Sequence, residues 1–181
     1  MHAGVIYRIV YRQFASAICI GPPFKTTTLN LIREFEGWYP NIYGHPTVGY
    51  GHLCTDKTCS DVPYRIPLST ADGEKLLRSD LTIAQNCITR QTADPVTLKA
   101  NQYAALVSWA FNVGCGASGS STLIQRLNAG EEPNRVAQEE LPRWKYGDNG
   151  VVLPGLVRRR AAEVDLHKTP SNVPALPVVC S

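Results

Sequence analysis

No stretch of this sequence approaches the ~20 apolar residues of a membrane span, so nothing in it argues for an integral membrane protein. Charge of one sign is also scarce: 18 Lys and Arg against 15 Asp and Glu leave a formal +3. A clustered basic stripe is missing, which argues against strong nucleic-acid binding. The small positive balance still suits weak, salt-sensitive attraction to an anionic surface. There is no internal repeat, which excludes solenoid and propeller architectures, and no C-x2-C pair of the kind that builds common zinc sites. What remains is an ordinary globular composition, 44% hydrophobic and 18% charged. A folded part of about 150 residues buries roughly 70% of its unfolded surface, enough for a core without staples.

Cysteine is the exception to this modesty. Cys19, Cys54, Cys59, Cys87, Cys115 and Cys180 make an even set, which suggests three disulfides and an oxidising, extracellular compartment. Six cysteines allow fifteen pairings; Cys54 and Cys59 are near enough to close a short loop. A zinc site drawn from Cys54, Cys59, His45 and His52 is the competing reading, weakened by the missing second ligand pair. The expectation is therefore no metal and no cofactor. Three segments are expected: an irregular leader over 1–27, a folded domain over 28–169 and a proline-rich tail over 170–181. The leader is a poor secretion signal, because Arg8 and Arg12 interrupt its apolar run. It is either an unusual signal or a wrongly predicted start, the second being preferred.

Periodicity orders the rest. Thr26–Thr28 offer capping hydroxyls to a helix with Leu29, Ile32 and Phe35/Glu36 at helical spacing, limited by Pro40. From Ile42 to Leu53 glycines alternate with larger residues, as in short strands joined by tight turns. Ser69 and Asp72 resemble a capping box before Leu77, Leu81, Ala84 and Ile88. Further helices are expected from Asn101 to Gly114, after a Ser120 cap to Gly130, over about Asn134–Leu141, and from Pro154 to Leu166. Helix, small sheet and helical bundle make an α+β fold with a cleft between sheet and bundle.

Glu36 stands four residues after Ile32 and seven after Leu29, on the apolar face of its own helix. Desolvation there disfavours a charged carboxylate, and a carboxyl that holds its proton is what glycosidic cleavage asks of a general acid. On spacing alone the plainer reading prevails: a helix-end Glu turned to solvent or paired with an Arg.

The surrounding words shift that balance. Residues 31–53, LIREFEGWYPNIYGHPTVGYGHL, resemble the opening of the phage-type lysozymes, glycoside hydrolase family 24. The motif is an EG dipeptide, a tyrosine, then T-[IV]-G-[YI]-G-H. The resemblance continues through 101–130 and 143–163 and covers about 140 of the 181 residues. The cysteine pattern looks most like secreted fungal members. The resemblance implies a lysozyme-like fold and a monomeric muramidase acting on bacterial peptidoglycan strands, with an antibacterial role. It makes Glu36 the general acid and Thr47 the holder of the attacking water. Gly49, Tyr50 and His52 match the motif as cleft wall; a structural histidine bonded to a helix is the favoured account of His52. Trp144 is either cleft lining or core. The run Arg158-Arg159-Arg160 is expected to hold Glu36 or contact the polymer, with Arg158 assigned to substrate binding, while at least one of the three faces solvent.

One departure stands out. The family pattern Y-x-D-x-x-G-x-x-T carries an aspartate that activates water, but here Tyr43 runs directly into Gly44-His45-Pro46-Thr47. About four residues, the aspartate among them, have no counterpart, through a dropped stretch of coding sequence or a shortened hairpin. General-base help is worth ~100- to 10,000-fold. A chain without it is expected to cut slowly, or only to bind glycan. His45 as a substitute base and Asp56 swinging in are weaker alternatives, Asp56 being a better turn former.

Overall fold

The computed structural model describes residues 26–147 and 149–178. The first helix, α1 (Thr26–Glu36), turns Leu29 and Ile32 fully inward. Gly37, at φ 74°, closes it by bonding back to the Arg33 carbonyl, an easy conformation for glycine alone. A three-stranded antiparallel sheet comes next, β1 (Tyr39–Tyr43), β2 (Thr47–Gly49) and β3 (His52–Leu53), in the order β1-β2-β3.

The long α2 (Thr70–Gln91) begins where expected: Ser69 accepts from the Asp72 amide at 3.1 Å and its hydroxyl donates to the Asp72 carboxylate at 2.7 Å. Its apolar face, Leu77, Leu81, Ala84 and Ile88, packs on α3 (Ala100–Val113). Every residue of α3 from Tyr103 to Ala110 is buried, as befits a helix surrounded by others. Gly114 ends it at φ 84°.

Here the local reading is corrected. A short α4 (Cys115–Gly119) fills the glycine- and serine-rich link, and Ser121 rather than Ser120 caps α5 (Thr122–Asn128), accepting from the Ile124 amide. Then come α6 (Pro133–Glu140), one 3-10 turn at Leu141–Arg143, and α7 (Pro154–Lys168) with proline in its first turn. The stretch expected as a proline-rich tail contributes a strand, β5 (Pro174–Leu176), antiparallel to β4 (Leu98–Lys99). Leu98 and Leu176 are opposite one another and both buried. Strands of two and three residues carry no periodicity to read.

The core divides unequally. A large cluster joins α1, α2, α3, α5, α6 and β4–β5. A small one beneath the sheet holds Val48, Cys54, Cys59, Val62, Leu68 and Leu76, with Trp38 packed against it. The expected Cys54–Cys59 bridge is present, and Cys87–Cys115 ties α2 to α4. Cys19 and Cys180, like the leader expected over 1–27 except its last two residues, lie outside the described residues. No described helix is long and apolar enough to cross a membrane. The architecture is the expected α+β lysozyme-like arrangement: among the described residues, a small antiparallel sheet and seven helices.

Candidate active site

Glu36 is the last residue of α1, where the chain leaves the helix and turns into the sheet. Its Oε1 accepts from the Arg159 guanidinium at 2.5 Å, and its side chain is 18% exposed. Its other oxygen lies against Gly51, in the turn between β2 and β3: a Cβ at Gly51 would stand 2.7 Å from Oε2, and φ there is 82°. Glycine is required at position 51 for both reasons. One carboxylate oxygen is thus committed and the other faces backbone that leaves it room.

Arg159, on α7, is itself fixed. Its Nε donates to Glu163 Oε1 at 3.2 Å, another guanidinium nitrogen donates to the Ser108 carbonyl at 3.3 Å, and the group lies 5.8 Å over the Phe35 ring. Glu163 Oε1 also accepts from the Ser108 hydroxyl at 2.8 Å. Arg160 brings Nε within 3.0 Å of Glu163 Oε2 and donates to Asn112 at 2.7 Å. Glu163 is completely buried, and desolvation holds its carboxyl above the ordinary range against the pull of Arg160 and Arg159. Burial likewise pushes Arg160 down to about 10. The sequence places Glu36 on an apolar helical face; in the fold that face meets a buried ion network, and Arg159 is the arginine of the run that holds it. A carboxylate at i+3 and i+4 from Arg160 and Arg159 was the available signal for Glu163.

Two cavities are lined by residues of this region. One, of about 400 Å³, is lined by Phe35, Glu36, Asn112, Leu153, Arg158 and Arg159. The other, of about 440 Å³, is lined by Gly51, His52, Leu53, Asp61, Ile83 and Phe111 among others. Glu36 lines the first cavity, and Gly51, which lies against its Oε2, lines the second, so the carboxylate stands between the two. Arg158, exposed, stands on the wall of the first.

His52 is held from both sides. Its Nδ1 lies 3.0 Å from Asp80 of α2 and its Nε2 3.1 Å from Asp61 of the disulfide loop. The Asp80 hydrogen bond chiefly raises its pKa, desolvation opposes this, and Asp61 adds to the rise. This is the histidine bonded to a helix that the motif suggested, and it lines the second cavity as well. The zinc reading fails at the sulfurs: His52, Cys54 and Asp61 come within 4.8 Å of one another, but Cys54 is already bonded to Cys59. Asp56 does not swing in; the hydroxyls of Ser60 and Thr58 hold it in its own turn, well below the usual carboxylate range.

The remaining predicted residues have varied surroundings. Thr47 Oγ1 donates to the His45 carbonyl at 2.5 Å, within its own turn. Gly49 is buried, and a Cβ there would meet Leu68 at 3.3 Å, so it faces the small core rather than the cavities. Tyr50 packs on Trp38, ring centroids 4.8 Å apart, with Arg33 5.7 Å over its ring. Trp144 meets Trp109 edge-on at 5.3 Å against the large core, the packing alternative of the two. His45 is exposed at the hairpin end.

Comparison with known proteins identifies the family. The endolysin of Bacillus phage PZA is 39% identical over 153 residues, which are 80% of this chain and 55% of that protein. The endolysin of Bacillus phage B103 is 38% identical, with 52% of its length covered. The chain thus spans about half the length of these two relatives. The endolysin of Acyrthosiphon pisum secondary endosymbiont phage 1 is 35% identical over 148 residues, 78% of this chain and 94% of that one. Among solved structures, the muramidase domain of SpmX from Asticaccaulis excentricus superposes with a TM-score of 0.69 at 31% identity, covering 82% of this chain and 99% of that one. An endolysin from Escherichia coli O157:H7 phage FAHEc1 gives 0.66 at 27%, covering 83% and 98%. The phage lysozyme family itself matches over residues 33–163, from α1 through Glu163. With that match and these relatives, the chain belongs to the phage lysozymes.

Proposed function

We propose that this chain is a muramidase of glycoside hydrolase family 24. It would hydrolyse the β-1,4 linkage from N-acetylmuramic acid to N-acetylglucosamine in bacterial peptidoglycan, with Glu36 as general acid. The observation that carries the reading is the position of Glu36 between two cavities, one oxygen on Arg159 and the other beside Gly51. A glycan strand laid across the seam puts its scissile oxygen at Oε2, the oxygen that Arg159 does not occupy. Glu36 protonates the leaving oxygen as the glycosidic bond breaks, and water near Thr47 adds to the sugar carbon, releasing its proton to solvent, from which Glu36 is reprotonated. His52 forms the far cavity's wall and Arg158 meets the polymer at the near one. Gly49, Tyr50 and Trp144 support this arrangement from behind. The chemistry calls for no metal or organic cofactor.

A second reading has its own observation. The segment from Tyr39 to Gly49 contains neither Asp nor Glu, so no hairpin carboxylate activates the water. A chain that binds glycan and cuts it slowly, or not at all, is the consequence. Two internal disulfides support an oxidising, extracellular setting, and with it a secreted monomer of the fungal kind directed at bacteria. The division into a leader over 1–27, a catalytic domain over 28–169 and a tail over 170–181 is part of the same proposal.

Clearing of Gram-positive cell walls tests the reading directly. Glu36→Gln should reduce clearing at least ~100-fold while glycan binding persists. Binding without clearing by the parent protein favours the second reading, and neither binding nor clearing ends both.

A further inference from the structure

Residues four apart on a regular strand are separated by about 13 Å. Tyr39 and Tyr43 are four apart on β1, yet their rings stack with centroids 4.0 Å apart and planes inclined by 30°. The sheet register explains it. Tyr39 pairs with Gly49 and Tyr43 with Thr47, so Pro40, Asn41 and Ile42 together stand opposite the single residue Val48. The surplus throws β1 into a bulge, and the Leu68 amide, bonded to the Pro40 carbonyl at 2.8 Å, pins it. Bulges of this kind re-aim side chains beside active sites.

What the bulge produces is aromatic surface that no core consumes. Tyr39 is 44% exposed and Tyr43 38%. Both lie beside Glu36. The Tyr39 ring rests on Gly37, the next residue after the acid, where a Cβ would meet it at 3.2 Å. Tyr43 is within electrostatic range: its phenol is raised by desolvation first, then by Tyr39 and by the charge of Glu36.

We propose that Tyr39 and Tyr43 form a binding subsite on the hairpin side of Glu36, a platform on which a pyranose ring of the glycan strand stacks; the proposal rests on the muramidase reading. The chemistry matches the ligand. The C–H face of a pyranose is apolar and carries a small positive edge, which an aromatic face attracts. The two phenol hydroxyls supply hydrogen bonds for ring hydroxyls and acetamido groups. No charged residue stands between Tyr39 and Tyr43, so the platform suits neutral N-acetylglucosamine units better than anionic groups.

The test is calorimetric titration of the full chain with N-acetylglucosamine tetramer and with soluble peptidoglycan fragments, alongside wall clearing. Tyr39→Ala and Tyr43→Ala should each weaken binding about tenfold and raise the KM for walls with little change in kcat. The double variant should lose scarcely more than either single one, because one stacked unit is removed. Tyr39→Phe should bind within about twofold of the parent. If an alanine variant fails to fold, Tyr39→Leu, which keeps the apolar bulk without the aromatic face, must show the same loss. Folded variants that bind and cut like the parent overturn the platform and leave the muramidase reading intact. A parent that neither binds nor cuts overturns that reading, and the platform with it.

Discussion

The two sides of the cleft are built on opposite plans. On the helical side Glu36 is the outer member of a packed ion network, with Arg159, Arg160 and Glu163 all at most 3% exposed and joined to Ser108 and Asn112. On the hairpin side the strands are short, β1 is exposed along almost all its length, and the small core beneath depends on a disulfide and on His52 with two aspartates. A buried charge network tolerates little movement, because each unpaired group costs several kcal/mol. An exposed hairpin tolerates insertion, deletion and replacement. The lesson concerns where a lysozyme fold can vary: Glu36 is locked into the bundle, while the facing half of the cleft rides on replaceable chain. The short connection between Tyr43 and Thr47 lies on the replaceable side.

The sharpest way to break the comparison is to attack the network itself. Glu163→Gln leaves Arg159 and Arg160 short of their shared counter-ion and should destabilise the protein by about 3–5 kcal/mol in urea denaturation. The matching change in the other lobe, Asp61→Asn, should cost under about 1 kcal/mol, since that pair is partly exposed. Equal costs would end the contrast. Opening the Cys54–Cys59 bridge by a Cys54→Ser, Cys59→Ser double change should cost about 2 kcal/mol on loop-closure grounds. The loss should be local: amide exchange quickens between residues 39 and 62 while α3 keeps its protection.

The smallest effect is the pH dependence of the hairpin lobe. The folded pKa of His52 is raised, so the protonated form gains stability from Asp80 and Asp61. That stability is fully present below the ordinary histidine value near ~6.5 and is lost as pH rises through the higher folded value. Once intrinsic exchange at each pH is divided out, the protection of the 52–62 segment should therefore fall from pH 6 to pH 8, by under about 1 kcal/mol. In His52→Gln that protection should not change with pH.

Much of the fold was legible because its signals are local. Ser69 with Asp72, Gly114 after α3 and Pro154 at the start of α7 are start and stop marks that act within one turn of helix, and each stands where the sequence puts it. α4 was not legible, because a run of Gly, Ala and Ser has no apolar stripe; missing it displaced the cap from Ser121 to Ser120. β4 and β5 were missed because pairing across the chain, not pattern, makes them strands. In the site, Glu36 could be singled out by spacing and motif, but its partner could not. Choosing Arg159 over Arg158 and Arg160 requires the angle at which α7 crosses α1. Spacing also hid the Tyr39–Tyr43 stack, since regular strand geometry separates those rings.

Arg159 and Glu36 are 123 positions apart in the chain. A ribosome adding about 5–20 residues per second needs roughly 6–25 s to pass from one to the other, and throughout that interval the acid exists without its counter-ion. The ion network around Glu36 therefore cannot close until α7, the last of the described helices, has been made. Closure of that network and completion of the helical bundle are one event, so burial of Arg159 can serve as a clock for the final step of folding.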